Sequence, residues 1–105
     1  MEYMKYNFFG KTYELYIKVG KYSTNDNLAI TLYTKDDEPF ANLTTNIQKF
    51  NSTDVACVDT NNVTEAINLI SQYNLGKATG EYLSSGFCIY PIYKFDLKAL
   101  QKYTK

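Results

Sequence analysis

The sequence predicts a single α+β domain: an antiparallel sheet of about five or six strands packed against one main α-helix, with a short C-terminal helix. Three observations carry this expectation. The first half alternates apolar and polar residues at period two, the stretch after residue 62 switches to helical period, and turn-forming clusters separate the segments. With 105 residues and 45% apolar content, the chain fits one domain spanning 1–105 with a core of its own.

The elements follow in order. Met4, Tyr6 and Phe8 recur at period two before Gly10. Tyr13, Leu15, Ile17 and Val19 repeat the pattern, placing Glu14, Tyr16 and Lys18 on the opposite, polar phase. Ser23 to Asn27 is a run of turn formers, and Leu28, Ile30 and Leu32 make the next apolar face. Asp36-Asp37-Glu38-Pro39 turns the chain into a strand from Phe40 to Asn46. Strands joined by such short polar turns pair as an antiparallel meander. Asp54 to Val58 reads as another strand.

Val63, Ala66, Ile67 and Ile70 then lie at i, i+3, i+4 and i+7, which predicts a helix over 63–74. Asn62 is its expected cap, Glu65 the capping-box partner and Gly76 the left-handed stop. Gly80 to Leu83 and Phe87 to Phe95 read as strands, and Pro91 within the second belongs at an edge or a bulge. Asp96 is placed to cap a last helix bearing Leu97, Leu100 and Tyr103. One helix over one sheet leaves the other sheet face wet.

Composition narrows the chemistry. The chain has no His and no Trp, and lysine supplies all of its positive charge. Without His the commonest proton shuttle is missing, and two cysteines alone do not make a zinc site. The five glycines are isolated, so no phosphate-cradling loop forms. The chain is therefore expected to be no enzyme and to need no metal or cofactor. Cys57 and Cys88 are expected to be reduced, mostly buried thiols, with Cys88 quieted by an apolar strand. The opening residues lack a basic start followed by an apolar run, and no stretch approaches a membrane span, so a cytoplasmic location is expected.

Net charge is zero, with the middle leaning acidic and the end, bearing Lys94, Lys98, Lys102 and Lys105, leaning basic. Direct nucleic-acid binding asks for clustered cations and is not expected from this scatter. The acidic run Asp36, Asp37 and Glu38 has three readings: a solvated hairpin turn, carboxylates that coordinate a hard cation, or carboxylates presented to a partner's Lys and Arg. Tyrosine is abundant at eleven residues. Tyr16 and Tyr33, on the polar phase of their strands, either cover the outer sheet face or supply rigid contact area to a partner. Asp36, Asp37, Glu38, Tyr16 and Tyr33 are the candidate partner-binding residues. Ser84-Ser85-Gly86 reads as a tight turn or a small anion nest.

Several strings taken in order carry a resemblance: Asn27-Leu28-Ala29-Ile30, Leu43-Thr44-Thr45-Asn46, Val58-Asp59-Thr60-Asn61-Asn62, and Ser85-Gly86-Phe87-Cys88-Ile89-Tyr90-Pro91-Ile92-Tyr93-Lys94-Phe95. From about Tyr13 to Leu100 the chain resembles a domain-of-unknown-function family carried on bacterial conjugative elements, plasmids and phages. The resemblance implies a setting in which small proteins counter host defence by binding a Cas nuclease or restriction enzyme. The competing expectation is a structural or regulatory accessory of the mobile element, binding DNA or a transfer protein through the lysine-bearing end.

Overall fold

The computed structural model describes residues 1–105 and resolves the expected sheet into two. The first sheet is the meander β1 (Met4–Phe8), β2 (Lys11–Lys21), β3 (Leu28–Thr34) and β4 (Pro39–Asn42), all antiparallel. The second contains β5 (Thr44–Thr45), β6 (Val55–Val58), β7 (Gly76–Ser85) and β8 (Cys88–Phe95), in the order β5-β6-β8-β7. The mostly-β α+β class stands, and two four-stranded antiparallel sheets replace the single sheet expected.

Leu43 divides the expected Phe40–Asn46 strand. Its N–H donates to the Ile30 carbonyl of β3, and its own carbonyl accepts from the Asp59 N–H after β6. One residue thus spends its two backbone groups on different sheets, while its side chain is fully buried. Periodicity cannot register this corner, because it depends on backbone partners in β3 and after β6 that lie far along the chain.

A single core cluster joins the inner faces of both sheets. Met4, Leu15, Ile30 and Leu32 of the first meet Ala56, Val58, Tyr93 and Phe95 of the second, with Leu69, Ile70 and Leu100 contributed by helices. The main helix, α1 (Ala66–Gln72), is shorter than expected. Asn62 does not cap it. Instead Asp59 accepts from the backbone N–H and side-chain amide of Asn62, and the chain turns tightly through Val63 to Glu65 before helix begins. Glu65 makes no capping box; its carboxylate accepts from Asn68.

The left-handed stop falls on Asn74 (φ +53), with the Leu75 N–H reaching back to the Ile70 carbonyl. Gly76 serves a different need. A Cβ there would lie 2.7 Å from the Lys94 carbonyl oxygen, so the close approach of β7 to β8 requires glycine.

The ending is as the sequence predicts. Asp96 accepts from the N–H groups of Lys98 and Ala99 and caps α2 (Leu97–Gln101). Beyond it the chain returns to the first sheet: the Ile17 N–H donates to the Tyr103 carbonyl, and Thr104 bridges Ile17 in parallel. Pro91 sits where the β6–β8 ladder has ended at Ile92, next to an irregularity in β7, so its missing donor leaves no ladder bond unmade. Both cysteines are free, Cys57 buried and Cys88 partly so. Cys57 lies opposite Ile92, and Cys88 is four residues further along β8, about 13 Å away at strand rise.

Candidate functional site

The residues singled out from sequence gather at one end of the first sheet. The β3–β4 turn begins after Thr34, which pairs with Leu15 of β2. Tyr16 and Tyr33 are direct cross-strand partners, stacked with ring centroids 5.6 Å apart. Asp37 holds a left-handed conformation (φ +66) that turns its carboxylate back over the sheet. There Oδ1 accepts from the Tyr16 hydroxyl at 2.8 Å and from Lys105 Nζ at 2.6 Å.

This corrects the expectation of an exposed Tyr16. It is 2% exposed, buried in spite of its polar phase. Tyr3 packs edge-on against it, Tyr33 stacks on it and the Lys105 ammonium lies 5.0 Å above its ring. Leu15, Tyr16 and Ile17 are therefore three consecutive buried residues, one phase covered by the core and the other by the returning tail. Tyr33 remains partly exposed, with Lys18 Nζ 4.4 Å over its ring.

The electrostatics follow the geometry. The bond from Lys105, then that from Tyr16, holds the Asp37 carboxyl below its ordinary value. Burial, then the Asp37 carboxylate, pushes the Tyr16 phenol up. Lys105 is raised, chiefly by its hydrogen bond to Asp37. Of the three acids of the turn, Asp37 is thus satisfied within the chain, while Asp36 and Glu38 are exposed and make no ion pair.

The four C-terminal lysines do not form one patch. Lys105 is held by Asp37 over the first sheet, whereas Lys94 lies on the outer face of the second, directly opposite Lys77. Ser85 to Phe87 forms a tight turn, with Gly86 at φ +61. No group of three or more His, Cys, Asp or Glu side chains is gathered as a metal-ligand set.

Sequence reading missed Phe9. The pair Phe8↔Lys11 closes β1 on β2 through a two-residue loop, Phe9-Gly10, and both loop residues have positive φ, +49 and +76. That is the pattern of a type I′ turn, which favours Asn or Asp followed by Gly. Phenylalanine at the first position is sterically strained by about 1–2 kcal/mol, and its ring is 93% exposed. A signal was present: an aromatic residue before Gly10 in a hairpin loop too short to bury it.

Because β2 starts four residues before Leu15, the Phe9 tip projects about 13 Å past the Leu15–Thr34 pair, at the same end as the acidic turn. Behind it lie Phe8, Tyr6, Tyr13 and Phe40 in successive ring contacts, with Phe8 and Phe9 4.4 Å apart. This end therefore offers an exposed aromatic, two free carboxylates and a rigid aromatic support.

A family model described as "Domain of unknown function (DUF4313)" matches residues 16–105. The chain belongs to this family. The matched stretch includes Tyr16, Tyr33, the acidic turn and Lys105; the Phe9 hairpin precedes it. No curated protein and no solved structure matches the chain. No helix is long and apolar enough to cross a membrane.

Proposed function

We propose that this chain is a protein-binding inhibitor of host defence, of the anti-CRISPR or anti-restriction type, carried on a mobile genetic element. It acts by stoichiometric association with a nuclease and performs no chemistry itself. The observation that carries the binding role is Phe9: a strained residue held in solvent persists where its exposure is useful. Aromatic anchors beside charged rim residues are the ordinary composition of a protein-binding patch. Asp36 and Glu38 meet cations of the partner directly, while Asp37 becomes available only when Lys105 is displaced.

The host-defence target rests on resemblance to proteins of mobile elements, and the binding face on the residues above. The test is titration of purified chain into reconstituted Cas nuclease–guide complexes and restriction enzymes, with cleavage and co-sedimentation as readouts. One-to-one inhibition that falls at least tenfold with Phe9→Asn and with Asp36→Lys/Glu38→Lys supports the reading. Uninhibited cleavage across the panel removes the nuclease target, and inhibition unaffected by either variant removes the face.

A second reading draws on Lys77 and Lys94. Like charges directly opposite each other destabilise a sheet, and these two have no acidic partner. The alternative is an accessory protein of the mobile element that binds DNA or a transfer protein through Lys94, Lys98 and Lys102. Salt-dependent duplex binding, lost on Lys77→Gln/Lys94→Gln, supports it over the inhibitor.

A further inference from the structure

The second sheet carries an apolar strip that α1 covers at one end only. By the β7–β8 register, Phe95, Tyr93, Pro91 and Ile89 share one face with Gly76, Ala78 and Tyr82. Phe95 and Tyr93 are core residues, so this is the inner face. The ladder to β6 stops at Ile92, and α1 is only seven residues long. Beyond them β7 and β8 continue as a two-stranded arm on which Tyr82 and Ile89 are each 63% exposed and Phe87, at the tip, is wholly so.

The two ends of the strip differ in shape. Next to α1, the small side chain at Ala78 leaves an open groove of about 650 Å³, walled by Ile67, Ile70, Tyr93 and Phe95 and lined also by Lys77, Lys94 and Asp96. At the far end stands the Phe87 ring. Phe87 precedes Tyr93 by six positions, about 20 Å at strand rise, so the knob cannot fold back into the hole of its own arm. A strip with a hole at one end and a knob at the other is self-complementary about a twofold axis through its middle.

We propose that two copies of the chain associate through these arms, laid antiparallel and face to face. Each Phe87 enters the groove of the other copy, and Ile89, Tyr82 and Pro91 pack across the axis. The area agrees with a modest dimer: three exposed apolar side chains plus the groove lining offer on the order of 600 Å² per copy. The total of about 1,200 Å² is at the lower bound of stable interfaces. An interface of this size is expected to give a weak, reversible dimer. The bulge at Gly80 (φ +87) interrupts the free edge of β7, which disfavours edge-to-edge strand pairing as the mode of contact. The inference is independent of the proposed target, because the Phe9 face is on the other sheet.

The test is sedimentation velocity of the intact chain from about 1 to 200 µM, the range in which a weak reversible dimer is seen. The chain is expected to shift from monomer to dimer. Phe87→Ser removes the knob and Ala78→Trp fills the hole, and each variant alone is expected to stay monomeric. Phe87 is wholly exposed, so its removal leaves the fold intact, and unchanged thermal melting verifies this for both variants. Mixing the two variants pairs an intact knob with an intact hole and is expected to restore a heterodimer through one of the two contacts. A wild-type chain monomeric throughout the range overturns the proposal. So does a dimer that survives both variants.

Discussion

The Asp37 carboxylate accepts from the Tyr16 hydroxyl at 2.8 Å, across 21 residues of sequence, and in doing so ties the β3–β4 turn to the middle of β2. Lys105 closes the same contact from the returning tail. Three segments distant in sequence thus meet at one carboxylate, and each group shifts the titration of the others.

The pH dependence has a definite sign. Asp37 is lowered from its ordinary 3.8, so its contribution is complete above that value and is lost as pH falls through the folded-state value. Tyr16 and Lys105 are raised from 10.0 and 10.5, so theirs is complete below pH 10 and is lost as pH rises further. Denaturant midpoints measured against pH are expected to fall at both extremes, and Asp37→Asn is expected to flatten the acid limb relative to wild type. An unchanged acid limb would show that this contact contributes nothing to folding.

Phe9→Asn separates stability from binding. Asn accepts the left-handed conformation of the type I′ turn, so relieving the strain is expected to stabilise the chain by about 1 kcal/mol. The same change removes the exposed ring from the proposed binding face. Urea unfolding beside a nuclease-binding assay checks both halves, and a variant that is less stable contradicts the strain argument.

At Gly76 the constraint is contact, not backbone freedom. Its Cβ position meets the Lys94 carbonyl oxygen at 2.7 Å and the Phe95 Cα at 3.0 Å, both backbone atoms that cannot rotate away. Gly76→Ala is expected to cost about 2–3 kcal/mol, as overpacking does. Gly20, with nothing within 4 Å of the same position, is the control: Gly20→Ala is expected to be close to neutral or stabilising.

Thiol chemistry distinguishes the two cysteines. Cys57 is fully buried, and burial pushes its thiol up, so at pH 8 it is expected to resist alkylation until the chain unfolds. Cys88, partly exposed on the arm, is expected to react first. Mass spectrometry of peptides after timed alkylation reads the order, and equal rates would contradict the placement of Cys57.

The period-two runs set β1, β2 and β3, because each strand buries one face on a common core and alternation records that burial. Asp96 before an apolar triplet set α2, because capping acts within three residues of chain. Tyr16 marks where this stops. Its phase is polar and its neighbours in sequence are apolar, yet the residues that bury it are Tyr3, Tyr33 and Lys105, brought there by the turn at Asp37 and the return of the tail. The same holds for Leu43, whose division between two sheets depends on partners at Ile30 and Asp59.

The sequence by itself therefore determined which segments are strands and which are helices, that the class is α+β, and that acidic and aromatic groups are the ones at hand for contact. Only the tertiary structure decided that there are two sheets, that Tyr16 is covered, and that Phe9 and Phe87 stand exposed on hairpin tips. The division has a physical cause: periodicity and capping are local and leave their mark within a few residues, whereas sheet membership and exposure are set by partners far along the chain.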